Sequence, residues 1–196
     1  IVEIDYSYDE VAPFYNSGFT KIILGNDITK IGSHALAGCA NLQEMTIEEN
    51  ITSIGDSAFE HCTGELTINS KVLETDNYAY YSFFKFSKFT KIIIGDNINK
   101  IGNNAFQNCS YIESIVIPNS VTTIGDYAFE GCSNIKALTI GNNITTIGIG
   151  AFNYCTGEIT IGSKVVETDI IDTASPFAFS WFSKIIIEDN ISKIES

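Results

Sequence analysis

Apolar residues recur along this chain in short triplets whose outer members are large and whose middle member varies in polarity. The triplets are Ile22-Ile23-Leu24, Met45-Thr46-Ile47, Leu66-Thr67-Ile68, Ile92-Ile93-Ile94, Ile115-Val116-Ile117, Leu138-Thr139-Ile140, Ile159-Thr160-Ile161 and Ile185-Ile186-Ile187. A period of two is the mark of a strand with one buried face, so the outer residues are predicted to face a core and the middle ones solvent. All the middle residues are β-branched, which suits the pleated surface of a continuous sheet. The triplets begin 23, 21, 26, 23, 23, 21 and 26 residues apart. Units this short cannot bury a strand alone, so they must stack on one another as a solenoid.

The second half of each unit has its own fixed points. Ile-Gly recurs at Ile31-Gly32, Ile54-Gly55, Ile101-Gly102, Ile124-Gly125 and Ile147-Gly148. A small-large pair follows at Ala35-Leu36, Ala58-Phe59, Ala105-Phe106, Ala128-Phe129 and Ala151-Phe152, and then Cys39, Cys62, Cys109, Cys132 and Cys155. The Gly-to-Cys segment is predicted as a short helical turn, with Ser33, Asp56, Asn103 and Asp126 as its N-caps and Ile149 as the exception. Asp27, Asn50, Asn97, Ser120, Asn143 and Asn190 precede the second extended piece. They are expected to accept left-handed backbone and to bond their own turns.

Two units are variants without the Ile-Gly and Cys. They duplicate each other, LTINSKVLETD at 66–76 against ITIGSKVVETD at 159–169. Phe84, Phe86 and Phe89 recur as Phe177, Phe179 and Phe182, and these six are expected to plug the core where the small-large pair is missing. Tyr78, Tyr80, Tyr81 and Trp181 do not recur as aromatics. Amphipathic rings of this kind anchor interfaces or stack on sugars, so these four are the candidate ligand-binding residues.

The segment Ile-Pro-Asn-Ser-Val-Thr-Thr-Ile-Gly-Asp-Tyr-Ala-Phe-Glu-Gly-Cys-Ser, residues 117–133, resembles the repeat of the BspA-like leucine-rich-repeat family, and the likeness covers nearly the whole chain. It departs at Leu36, where the family has Phe, and in the two variant units. The resemblance implies a secreted or surface-anchored protein, several members being regarded as adhesins for host matrix proteins or other microbes. It supplies no catalytic residues. The expected fold is a β-rich α/β solenoid, a leucine-rich-repeat-like right-handed coil of about eight 23-residue units. Strands would lie on one face and helical turns on the other, in one domain over 1–196. The chain opens and closes mid-unit, as a piece of a longer array would.

Charge narrows the partners. Eleven lysines and no arginine stand against 24 acidic residues, a net charge of −13. The cationic footprint of a nucleic-acid or anionic-membrane binder is missing. No apolar run approaches the roughly 18 residues that would cross a membrane. The five cysteines sit at one repeat position with no paired spacing, as a ladder of small buried side chains would; no disulfide is expected. His34 and His61 occupy different repeat positions and are not expected to pair. No nucleophile-base set, phosphate loop or metal motif is present, and no cofactor is expected.

The resulting expectation is a non-enzymatic, extracellular or cell-surface binding scaffold, adhesin-like, for a protein or glycan ligand, host matrix among the candidates. The alternative is a stalk that presents another domain.

Overall fold

The structure, a computed structural model, describes residues 12–74, 83–162 and 175–188. The strands Lys21–Ile22, Glu44–Ile47, Thr63–Ile68, Lys88–Ile94, Ser114–Ile117, Ala137–Ile140, Thr156–Ile161 and Trp181–Ile187 pair in that order in one sheet. Every pairing is parallel, and the triplets sit in register: Met45 beside Leu66, Ile92 beside Ile115, Leu138 beside Ile159. Each passage of the chain therefore advances one strand spacing, about 4.8 Å. Where triplets are 26 residues apart, part of the surplus is absorbed as a bulge. Gly64 pairs Phe89 and Glu65 pairs Lys91, which leaves Thr90 over; Ser183 is left over in the same way.

The faces follow the sequence pattern in the inner strands, but in the last strand Ile185 and Ile187 are 58% and 36% exposed, with no further described strand beyond them. Ile115 and Ile117 are buried and Val116 is 56% exposed. The second extended pieces pair as well, Lys30–Ile31 with Ser53–Ile54 and Lys100–Ile101, Thr123–Ile124 and Thr146–Ile147 with one another.

The third side of the coil differs from expectation. Among the described residues there is no α-helix; the single helical element is a 3-10 turn, Lys71–Glu74. In the central coil the amides of Ala128, Glu130 and Cys132 close turns onto Gly125, Tyr127 and Phe129. The amides between them, on Tyr127, Phe129 and Gly131, donate instead to Ile149, Ala151 and Asn153 of the next coil. An α-helix would need every amide for the carbonyl four residues back. Backbone that turns left-handed at Tyr127 (φ 55°) and Gly131 (φ 74°) stops a right-handed helix as well. The α/β label is thus corrected to a parallel β-solenoid. The unit count is corrected too. About six turns of roughly 23-residue spacing are present.

Stacking also reassigns the polar residues. Asn103 and Asp126 reach the next coil: Oδ1 of Asn103 accepts the backbone amide of Asp126 at 2.8 Å, and Oδ1 of Asp126 accepts that of Ile149 at 2.8 Å. Ile149 ends this run as a backbone donor, which any residue can be. Asp27, Asn50, Asn97, Ser120 and Asn143 are not left-handed. The side-chain Nδ2 groups of Asn50, Asn97 and Asn143 donate one coil back, to the carbonyls of Asn26, Asn69 and Asn119 at 3.0, 2.6 and 2.8 Å. Asn190 lies outside the described residues.

The core is a column of parallel rings. Phe59, Phe84, Phe106, Phe129, Phe152 and Phe177 stack with centroids 5.2–5.4 Å apart. Aromatic pairs of this kind contribute about 0.5–1.5 kcal/mol each beyond the burial of their area. Phe84 and Phe177 fill the column in the variant coils, as expected of core plugs, and Phe89 is buried beside them. Phe182 is half-buried against the same core. Phe86 and Phe179 are not plugs: they are 50% and 58% exposed. Both hold left-handed backbone, φ 58° and 54°, which turns the side chain away from the column.

Candidate binding surface

The outer sheet face carries two parallel rows set by the strand register, one of them formed by the triplet middles. The middle row runs Ile23, Thr46, Thr67, Ile93, Val116, Thr139, Thr160 and Ile186, all of them exposed or half-buried. Beside it run Lys21, Glu44, Glu65, Lys91, Ser114, Ala137, Glu158 and Lys184. Ion pairs tie this second row together between coils: Lys21–Glu44 at 2.5 Å, Glu65–Lys91 at 2.9 Å and Glu158–Lys184 at 3.3 Å. Lys21 hydrogen-bonds Glu44 and holds its carboxyl below the usual carboxylate range. Such exposed pairs contribute little to stability, about 0–1 kcal/mol each, but they set a pattern of charge. Charge is confined to the ends of the row, and Ser114 and Ala137 leave its centre neutral around Val116 and Thr139. At the first end Lys21, Ile23, Glu44, Thr46, Glu65 and Ile93 line a hollow of about 250 Å³.

A second feature lies on the edge of the sheet. Trp181 opens the last strand and is 64% exposed. Its ring stands edge-on to Tyr154, centroids 5.8 Å apart, and Tyr154 lies nearly parallel to Phe179 at 6.2 Å. The structure thus places one of the four candidate residues, Trp181, in an exposed aromatic patch. Tyr78, Tyr80 and Tyr81 lie outside the described residues. Sequence reasoning missed Tyr154 and Phe179. The signal for Tyr154 was its place just before the repeat cysteine, where the other units carry Gly38, His61, Asn108 and Gly131.

The remaining candidates are structural. All five cysteines are free and buried. Burial pushes the thiols of Cys62, Cys109 and Cys155 up to about 12, and that of Cys132 well above the ordinary value, so none is a ready nucleophile. His34 and His61 are closer than their repeat positions suggest, because both flank Glu60: their Nε2 atoms lie 3.9 and 3.6 Å from its carboxylate oxygens. Among the described residues no group of three or more His, Cys, Asp or Glu is placed to hold a metal ion. No described helix is long and apolar enough to cross a membrane.

The repeat geometry agrees with a match to the family model for the BspA type leucine rich repeat region, in six copies over residues 10–86 and 77–196. The chain belongs to the BspA-type leucine-rich-repeat family. Among solved structures, a leucine-rich repeat protein from Bacteroides ovatus is similar over 88% of this chain and 44% of its own, with 22% identity and a TM-score of 0.57. A leucine rich cell surface protein from Faecalibacterium prausnitzii is 26% identical over 71% of this chain and 38% of its own, with a TM-score of 0.44. The pneumococcal vaccine antigen PcpA is 17% identical over 88% of this chain and 68% of its own, with a TM-score of 0.34. This BspA-type chain thus spans less than half of the first two. No curated protein matches it. As in other solenoids, repeats that contact only their neighbours make this BspA-type chain an extended scaffold.

Proposed function

We propose that the chain is the non-enzymatic recognition part of a secreted or surface-exposed protein, adhesin-like, and that it binds a protein or glycan. The observation that supports this most is the outer sheet face. Register fixes a row of β-branched side chains from Ile23 to Ile186 that stacking leaves open to solvent. Ile93 and Val116 stand side by side in that row between threonines, and exposed apolar side chains set among polar ones suit an interaction site. Stacked coils hold that surface in one shape, so little order has to be gained on binding. A stalk that only separates two other parts has no need of such a row. Membership of the BspA-type family supports the location.

A panel of extracellular-matrix proteins and a glycan array, presented to the purified chain, test the reading. Saturable binding to at least one ligand, weakened at least tenfold by Val116→Lys in the neutral centre of the face, is the expected result. Absence of binding across the panel would leave the stalk as the better account.

A further inference from the structure

The aromatic patch at Tyr154, Phe179 and Trp181 has a counterpart in the first variant copy, and the two are equipped differently. The counterpart residues, each 93 positions earlier, are His61, Phe86 and Lys88. There the ammonium of Lys85 lies 4.8 Å from the centroid of Phe86, and that of Lys88 lies 5.7 Å from the centroid of Tyr111. Such contacts follow from the attraction of a cation to the negative face of an aromatic ring. The first copy therefore supplies a cation to Phe86, the counterpart of Phe179. In the second copy Ala178 stands in place of Lys85, and Trp181 in place of Lys88. Among the described residues no lysine stands over Tyr154, Phe179 or Trp181. Rings have been gained where cations have been lost.

Backbone strain adds a second observation. Tyr154 and Phe179 hold left-handed backbone, φ 60° and 54°, in a column whose other members are Asn16, Gly38, His61, Phe86, Asn108 and Gly131. Asn and Gly adopt that region readily, whereas a bulky aromatic residue does so at a cost in stability. Strained positions that packing does not require are where function is to be sought. Neither ring is buried, so packing does not require them.

We propose that the Tyr154–Phe179–Trp181 patch binds a basic side chain, a lysine or arginine of a protein partner, on ring faces that, unlike Phe86 of the first copy, carry no lysine of the chain's own. This rests on the reading of the solenoid as a recognition scaffold and adds to the sheet face a second contact region with its own partner chemistry. The chain's net charge of −13 agrees, since it draws a basic surface toward it. Arginine suits the patch best, because its planar guanidinium stacks on aromatic faces. The open geometry, with Trp181 64% exposed, fits a side chain standing out from a folded surface.

Trp181 is the chain's only tryptophan, so its fluorescence reports on this patch directly. The intact chain is titrated at low salt with a blocked Gly-Arg-Gly-Arg-Gly peptide and, separately, with a neutral hexasaccharide. A saturable change with the peptide, lost at high salt, and none with the sugar is expected. Ala178→Lys, which gives Phe179 a cation of its own, should weaken the peptide at least tenfold. Phe179→Asn, a residue suited to the left-handed backbone, removes a ring without threatening the fold and should weaken it similarly. Phe86→Asn in the first copy should change nothing. A response to the sugar alone, or peptide binding indifferent to both Ala178→Lys and Phe179→Asn, overturns the proposal. If a ligand from the wider panel binds while these variants have no effect on any ligand, the patch assignment fails and the scaffold reading stands. If neither panel nor peptide binds, both fail.

Discussion

The thiol of Cys132 donates to the carbonyl oxygen of Phe106, one coil back, across 3.2 Å. The same contact joins Cys62 to Leu36 at 2.9 Å, Cys109 to Phe84 at 3.4 Å and Cys155 to Phe129 at 3.1 Å. A cysteine fits this place because it packs as a small hydrophobe beside the ring column and still offers a weak donor to an interior carbonyl. One residue type thereby serves both packing and polar satisfaction in every regular coil.

Because all five thiols are buried, labelling of the native chain with a thiol reagent should be slow. Labelling should reach five equivalents once denaturant unfolds the chain, matching the five cysteines. Rapid reaction of several thiols in the native state, counted by mass, would contradict the ladder.

The same burial predicts alkaline instability. Cys62, Cys109 and Cys155 are raised from 9.0 to about 12 in the fold. Between those limits the unfolded chain releases protons that the folded chain keeps, so each thiol's contribution is whole below about pH 9 and is lost as pH rises toward about 12. Denaturant unfolding at pH 8, 9, 10 and 11 should show a falling midpoint. Cys155→Ala should make the fall shallower; an unchanged slope would mean that these thiols titrate alike in both states.

Position in the coil should decide the effect of removing an apolar side chain. Phe129 lies inside the ring column, so Phe129→Ala should cost about 3–5 kcal/mol. Val116 faces solvent in mid-strand, and Val116→Thr should stay within about 0.5 kcal/mol. Phe84→Ala and Phe86→Ala should differ in the same sense, although the two residues are near neighbours in sequence. Urea unfolding of the four variants checks both pairs, and similar losses within a pair would put the wrong face inward.

Glycines divide by what lies next to them. A Cβ on Gly125 would meet Oδ1 and N of Asn103 at 2.4 and 2.6 Å, whereas one on Gly25 would meet nothing within 4 Å. Gly125→Ala should therefore cost about 1–3 kcal/mol, the usual range for overpacking. Gly25→Ala should be neutral or stabilise by up to about 1 kcal/mol, through a less flexible unfolded chain. Thermal melts of the two variants separate the effects, and equal shifts would show that coils are not in close contact at the Ile-Gly step.

The sequence by itself determined the strands, their order and their faces, because each rests on a local period of two repeated at a nearly fixed interval. It placed the outer residues of the inner triplets in the core and the middle residues outside, and it marked the cysteines as buried, since one position repeated in register can only stack on itself. Only the tertiary structure decided where backbone and polar side chains point. The turns at Ala128-Phe129 look helical in isolation, but the amides of Tyr127, Phe129 and Gly131 find carbonyls in the next coil and no helix forms. Asn103 and Asp126 look like caps, yet their oxygens serve the coil that follows. Phe84 and Phe86 look alike in the sequence, and a left-handed residue at 86 sends one ring into the column and the other into solvent. The patch of Tyr154, Phe179 and Trp181 was legible only as Trp181, because Tyr154 joins it from the preceding coil through stacking and Phe179 shares the sequence pattern of the core plugs. In a solenoid the nearest neighbour in space is one coil away, and that relation carries the contacts that a local reading of the chain assigns to the residue's own turn.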